Sequence, residues 1–294
     1  MHKVKAKGIL SQTNGINIYR GCQHGCIYCD ARSDCYQIKH KFEDIEVKEN
    51  APELLEKALA SKRKLCMVGT GAMSDPYMPL EKELRLTRKC LEIIERHSFG
   101  ATVHTKSSSV MRDIDILQRI NQKSKAVLQM TLTTADEKLC KVIEPNVSTT
   151  AKRVHTLKEF HNAKIPTVVW LSPFLPFIND TKENIDALLD YCIKSGVKGI
   201  ICFGIGVTLR NGDREYFYSQ LDRHFPGMKE RYIKTYNNAY DVASPNGNPL
   251  MQRIANVCCK EGIMFGTDRV FSYLHEYENK YEKQNLQLSL FDYL

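Results

Sequence analysis

Tyr19-Arg-Gly-Cys22-Gln-His-Gly-Cys26-Ile-Tyr-Cys29-Asp30 is the stretch on which the reading of this chain turns. Three thiolates at C-x3-C-x2-C fall one short of the four ligands that a [4Fe–4S] cluster takes. If Cys22, Cys26 and Cys29 bind one cluster, its fourth iron stays open to a small molecule. Two other readings compete. Zinc would need a fourth ligand such as His24 or Cys35, and structural zinc sites usually pair two C-x2-C-like knuckles. Inert core cysteines are common, but three within eight residues, among Gly and polar neighbours, do not resemble core packing. Ligand count and spacing favour the cluster.

With Tyr28 just before the third cysteine, this spacing resembles the signature of the radical S-adenosylmethionine (SAM) superfamily. The resemblance implies a SAM molecule on the open iron and a carbon radical made from it. It also implies a partial (β/α)6 TIM-type barrel and a reductant such as flavodoxin or ferredoxin.

The surrounding chain agrees with that implication. Short β-branched runs at 16–20, 64–69, 101–106, 126–133, 167–172 and 199–204 alternate with helical patterns at 52–61, 83–97, 112–121, 148–163 and 182–195. Pro52 stands near the start of the first helix, and Ser148 and Thr181 are plausible caps of later ones. Such alternation predicts β-α units around a parallel sheet, hence an α/β fold. Sites in barrels gather at the C-terminal ends of the strands, and the cysteine loop directly follows the first strand. Residues 1–212 are expected to form the barrel and 213–278 a helical region rich in Tyr, Phe and Arg. Its aromatic and basic part, 213–240, is read either as a base-stacking surface or as a cap closing the barrel. Residues 279–294 are expected to be a flexible tail.

Composition sets outer bounds. The 294 residues are 43% hydrophobic, enough for a real core. Eleven cysteines, an odd number, and no apolar leader argue for a reducing, cytoplasmic setting. The longest apolar stretch, 165–178, is interrupted by three prolines and is too short to cross a bilayer, so no membrane association is expected. Net charge of +8 leans towards a polyanionic partner, DNA among them.

Bound SAM needs polar contacts at strand ends. Gly69-Thr-Gly-Ala-Met-Ser74-Asp75 follows the second strand and offers close backbone approach and acceptors, although Asp75 before Pro76 also reads as a simple N-cap. Lys106, beside Ser107, ends the third strand, where an ammonium can pair with the methionyl carboxylate. Thr131 and Thr133 share one side of the fourth strand.

A sharper resemblance rests on Asn17-Ile-Tyr-Arg-Gly-Cys22, Ser74-Asp-Pro-Tyr-Met-Pro79, Leu86-Thr-Arg88, Thr105-Lys-Ser107, Arg112-Asp113 and Glu144-Pro145 with Arg153. These elements, from about residue 8 to 210, resemble the family related to spore photoproduct lyase, the "DNA repair photolyase" type. That resemblance implies a lyase-type activity in DNA repair, with Lys106, Thr131 and Arg153 in contact with SAM. The family's hydrogen-donor cysteine would stand three residues before Asp75, where this chain has Ala72. Cys35 is the nearest substitute donor; a partly buried structural thiol is the other reading of it.

Near the end, Gln287-Leu288-Ser-Leu290-Phe291 follows a charged linker. It resembles the pentapeptide that docks bacterial polymerases and repair proteins on the DNA sliding clamp, with Gln287 as amide and Leu288, Leu290 and Phe291 as apolar anchors. The tail folding back on the barrel is the alternative. Together these readings predict a radical SAM enzyme acting on DNA while tethered to the clamp. A peptide or RNA-base substrate, or a clamp-bound iron–sulfur sensor without turnover, are the other possibilities.

Overall fold

The computed structural model describes residues 1–280. Its centre is a sheet of seven parallel strands: β1 (Gly15–Ile16), β2 (Met67–Thr70), β3 (Gly100–Thr105), β4 (Ala126–Thr131), β5 (Thr167–Trp170), β6 (Gly199–Ile201) and β7 (Met264–Phe265). Spatial order equals chain order, so the winding never reverses. A singly wound parallel sheet of this kind is a partial TIM-type barrel, with every strand ending on the same rim.

Burial explains the strand sequences. Every residue of β4 is buried, as expected for a central parallel strand covered on both faces. The crossover helices are α1 (Ala51–Ala60), α2 (Leu86–Arg96), α3 (Ile114–Lys123), α4 (Thr150–Asn162) and α5 (Lys182–Lys194). α2 buries Leu86, Cys90, Leu91, Ile93 and Ile94 on one stripe against the sheet. Pro52 sits in the first turn of α1, where its missing N–H costs nothing. Thr181 caps α5 as predicted. α4, however, is capped by Thr149. Ser148 instead accepts from the backbone N–H of Ser108 at 2.7 Å and ties two strand-end loops together.

The α/β fold of a partial TIM-type barrel is as expected, and the chain beyond β6 adds a seventh strand to it. Beyond β6 come α6 (Asp213–His224), α7 (Met228–Tyr236), α8 (Gly247–Lys260) and α9 (Thr267–His275), with β7 between the last two. α8 buries Leu250, Ile254 and Cys258 in the main core, and β7 adds a seventh strand beside β6. Two residues of strand are too few to show a period. α6 and α7 behave as the cap reading predicts. Phe217 and Tyr232 are fully buried and pack with Cys26, Ile27 and Tyr28 of the cysteine loop. Tails beyond 280, including Gln287, Leu288, Leu290 and Phe291, lie outside the described residues. No helix among the described residues is long and apolar enough to cross a membrane.

Candidate functional site

The cysteine loop leaves the sheet after β1 and folds over the strand-end rim. Gly21 adopts φ +86°, and a Cβ there would come within 2.3 Å of the Phe42 carbonyl, so only glycine fits. Partners from afar hold the loop down. The Cys22 N–H donates to the Phe42 carbonyl at 3.2 Å, Ile27 N–H to the Ile143 carbonyl at 3.0 Å, and Asn146 N–H to the His24 carbonyl at 3.1 Å. All three cysteines are free thiols, and all three line one cavity of about 370 Å³. That volume is in the range of small-molecule sites, about 300–1,000 Å³.

Tyr28, Ser74, Asp75, Lys106 and Thr131 line the same cavity. Their roles differ. Asp75 accepts from Thr105 Oγ1 at 2.6 Å, Lys106 N–H at 2.7 Å and Tyr77 N–H at 2.8 Å, with His24 Nδ1 at 3.3 Å. It therefore fastens the β2 and β3 loops to the cysteine loop, and few of its lone pairs remain for a ligand. Burial works against charge on His24, but the Asp75 carboxylate overrides it and pushes the imidazole up to about 10. Asp75 itself is held well below the usual carboxylate range: burial opposes this, and His24 and its hydrogen-bond donors prevail.

Lys106 is the ammonium available to an anion. Burial disfavours its charge, yet Cys26, Glu144, Cys29 and Asp75 together raise its pKa above that of an ordinary lysine. No carboxylate among the described residues pairs with it within 4 Å; its Nζ stands 6.0 Å from the Tyr28 ring centroid. Ser74 Oγ is buried and meets no hydrogen-bond partner. An orphaned hydroxyl at a cavity wall is a group waiting for a ligand. Three thiols, a paired-off Asp and a charged, unbridged lysine around one cavity suit an iron–sulfur cluster with an anionic small molecule beside it.

Gly69, Ser107 and Arg153 do not reach the cavity. Gly69 stays within β2, and Ser107 caps the turn at Ser108–Asp113. Arg153 is completely buried: its guanidinium pairs with Glu144 and donates to the carbonyls of Ser148 at 2.7 Å and Thr131 at 2.9 Å. Glu144 in turn accepts from the Tyr28 hydroxyl. The expected SAM contact thus belongs to a buried strut that pins Tyr28, because burying a guanidinium requires a carboxylate partner that sits behind the loop.

Cys35 is also displaced from its expected place. It is exposed, receives a hydrogen bond from Arg210 Nη1 at 3.2 Å, and lines a surface groove with Arg210 and Tyr240. Tyr36, one residue on, takes the cavity side, and its hydroxyl donates to Asp30 Oδ2 at 2.8 Å. Ala72 does line the cavity, at the position where the family resemblance puts a donor thiol.

Several cavity residues escaped the sequence reading. His104 and Trp170 stack with ring centroids 4.4 Å apart, and Phe203 meets Trp170 edge-on at 5.6 Å. Phe203 is 61% exposed. His104 Nε2 lies 2.9 Å from Thr131 Oγ1, and burial with the nearby Lys106 pushes its pKa down to about 3, so the ring is neutral. The only available signal was position: His104 and Trp170 stand at the C-terminal ends of β3 and β5.

Comparison with known proteins places the chain in a family and a fold. A family model described as the Radical SAM superfamily matches residues 16–192. An uncharacterized protein of Methanocaldococcus jannaschii is 33% identical over 188 residues, covering 61% of this chain and 70% of its own. An uncharacterized protein of Mycobacterium bovis is 25% identical over 273 residues, covering 88% and 78%. Among solved structures, a point mutant of spore photoproduct lyase matches with a TM-score of 0.64 at 14% identity, covering 90% of this chain and 80% of that one. A mutant of that lyase with bound AdoMet and dinucleoside spore photoproduct gives 0.59 at 12% identity, covering 86% and 75%. At such identities the likeness is one of fold.

Proposed function

The chain belongs to the radical SAM superfamily, and from that premise we propose that it is a lyase-type enzyme acting on damaged DNA or its nucleotides. Members of the superfamily use a [4Fe–4S] cluster and SAM, and the residues around the cavity fit both. When bound and reduced, that pair supplies a 5′-deoxyadenosyl radical, which takes a hydrogen atom from the substrate. Cys22, Cys26 and Cys29 would hold the cluster, and Lys106 would pair with the methionyl carboxylate. Asp75 orients His24 against the cysteine loop, and the Glu144–Arg153 strut fixes Tyr28.

The observation that carries the DNA reading is the aromatic rim. Trp170, braced by His104, and the exposed Phe203 offer flat apolar surface at the cavity mouth. Aromatic faces of this kind stack nucleobases, at about 1–3 kcal/mol per base. The surplus of eight positive charges and the fold shared with spore photoproduct lyase, whose structure includes a dinucleoside photoproduct, favour the same substrate class. Ala72 argues that hydrogen return, if it occurs, differs from a thiol at that position.

The experiment is reductive SAM cleavage by the anaerobically reconstituted protein, with irradiated and undamaged single-stranded DNA. Formation of 5′-deoxyadenosine that irradiated DNA stimulates supports the reading. Cleavage indifferent to DNA refutes the substrate class, and no 5′-deoxyadenosine at all refutes the catalytic reading. Clamp tethering through Gln287, Leu288, Leu290 and Phe291 is part of the proposal and has its own test. Clamp pull-down undiminished by Phe291→Ala would remove it.

A further inference from the structure

We propose that His2, His40 and Glu46 bind a divalent transition-metal ion at a second site, outside the cavity of the cysteine loop. One ring nitrogen from each histidine and a carboxylate oxygen of Glu46 lie within 4.8 Å of one another. Two of the three are placed by a small sheet. Strand His2–Val4 pairs in parallel with strand Glu46–Lys48, and the register sets His2 directly beside Glu46. His40 arrives from the loop that follows the cysteine motif. Its ring meets that of His2 edge-on, with centroids 4.8 Å apart.

The hydrogen bonds around the rings are those of metal-ligating histidines. His2 Nδ1 lies 3.0 Å from Asp44 Oδ2, and His40 Nδ1 lies 3.0 Å from the Lys41 carbonyl oxygen. Both acceptors draw the ring proton onto Nδ1 and leave Nε2 as the lone-pair nitrogen. A carboxylate or carbonyl on the far nitrogen is the usual second partner of a histidine that binds a metal, orienting the ring and raising its basicity. The independent observation concerns His40 Nε2. It is buried, meets no hydrogen-bond partner, and stands 4.0 Å from Glu46 Oε2. A buried polar atom left unpaired is costly unless something fills the gap.

An ion satisfies all three groups at once. Tetrahedral ligands at about 2.0–2.1 Å from zinc stand roughly 3.4 Å apart, so the side chains must close by about 1 Å. His2, His40 and Glu46 are 39%, 18% and 21% exposed at the side chain, which leaves room for that rotation. Two imidazoles and a carboxylate, with a water to complete the shell, suit zinc or its transition-metal neighbours better than calcium or magnesium. Glu46 offsets one of the ion's two charges, Asp44 is shared with the Met1 ammonium at 2.9 Å, and the nearby Arg20 turns its guanidinium away to the Tyr36 carbonyl.

Such an ion would act on the cysteine loop at one remove. The stretch between His40 and Glu46 carries Phe42, whose carbonyl receives the Cys22 N–H and whose ring faces Arg32 at 4.3 Å. Fastening His40 to the small sheet therefore holds the carbonyl that positions the first cysteine.

The test uses the full chain with its iron–sulfur cluster assembled, so that the three cysteines are engaged. Protein equilibrated with Zn²⁺ and desalted is assayed for zinc and iron. The expected result is one zinc per chain in the unmodified protein and none in His2→Gln or His40→Gln, with iron content unchanged. Asp44→Asn should weaken zinc binding by about 10–100-fold, the effect of losing such a second partner. Equal zinc in the unmodified protein and His40→Gln would overturn the proposal, as would an unmodified protein that retains none. If His40→Gln does not fold, His2→Gln on its edge strand carries the comparison, with cluster absorbance confirming the fold.

Discussion

Glu144→Gln should destabilise the whole molecule without removing a side chain that lines the cavity. Both Glu144 and Arg153 are fully buried and face each other as an ion pair. Losing the carboxylate leaves a guanidinium charge that no solvent reaches, although the carbonyls of Ser148 and Thr131 still accept from it. Breaking a buried pair from one side costs about 3–5 kcal/mol. At about 2–4 °C per kcal/mol, that lowers the thermal midpoint by roughly 6–20 °C. Replacing both members, with Glu144→Gln and Arg153→Met together, should recover a large part of the loss, because the uncompensated charge is gone. The pH dependence has a definite sign. Burial pushes the Glu144 carboxyl up, but Arg153 and Lys106 hold it below its ordinary value. Its stabilisation is therefore complete above about pH 4.3, the unfolded value, and is lost as the pH falls through the folded value. Calorimetry at neutral pH and at pH 4 reads both effects. A midpoint within 2 °C of the unmodified protein, with SAM affinity lost instead, would refute the strut and restore Arg153 as a cofactor contact.

Three further outcomes follow from the same geometry. Asp213 is buried at the start of α6, where burial and Asp30 push its carboxyl up to about 7. Its folded value exceeds the unfolded one, so the protein loses stability as pH rises from about 3.9 to 7; Asp213→Asn should gain roughly 2–4 kcal/mol at pH 8 and nothing at pH 3.5, measured by denaturant titration. Lys106→Ala should keep the cluster's colour and weaken equilibrium SAM binding at least about tenfold, the worth of one charge-assisted hydrogen bond; unchanged affinity would remove the carboxylate contact. Cys35→Ala should leave solvent-deuterium incorporation into product unaltered, since Cys35 faces the Arg210 groove; lost labelling would return it to the role of hydrogen donor.

Local information carried a large share of this protein. The cysteine trio proposed to hold the cluster was legible because three cysteines within eight residues define a candidate ligand set by count and spacing alone. The strands β2 to β6 were legible because each carries enough consecutive apolar residues to announce a buried parallel strand. Lys106 and Thr131 could be placed at the rim from strand position, and the structure brings both to the cavity.

Roles that depend on a distant partner had no such trace. Whether Arg153 touches a ligand or braces Tyr28 depends on the Glu144 carboxylate and on loop 143–146 packing against the cysteine loop. Asp75 becomes a fastener through its approach to His24, fifty-one residues earlier, and Trp170 becomes a rim residue by stacking on His104. One turn of 3-10 helix over Asp34–Tyr36 decides that Tyr36, and not Cys35, faces inward. Spacing along the chain specifies which groups are near neighbours in a loop or on a strand, and so the cysteine trio and the alternating β-α pattern were determined by sequence. Orientation and pairing across the rim are set by the parallel sheet, which brings the ends of strands tens of residues apart into hydrogen-bonding range, and only the folded chain could decide them.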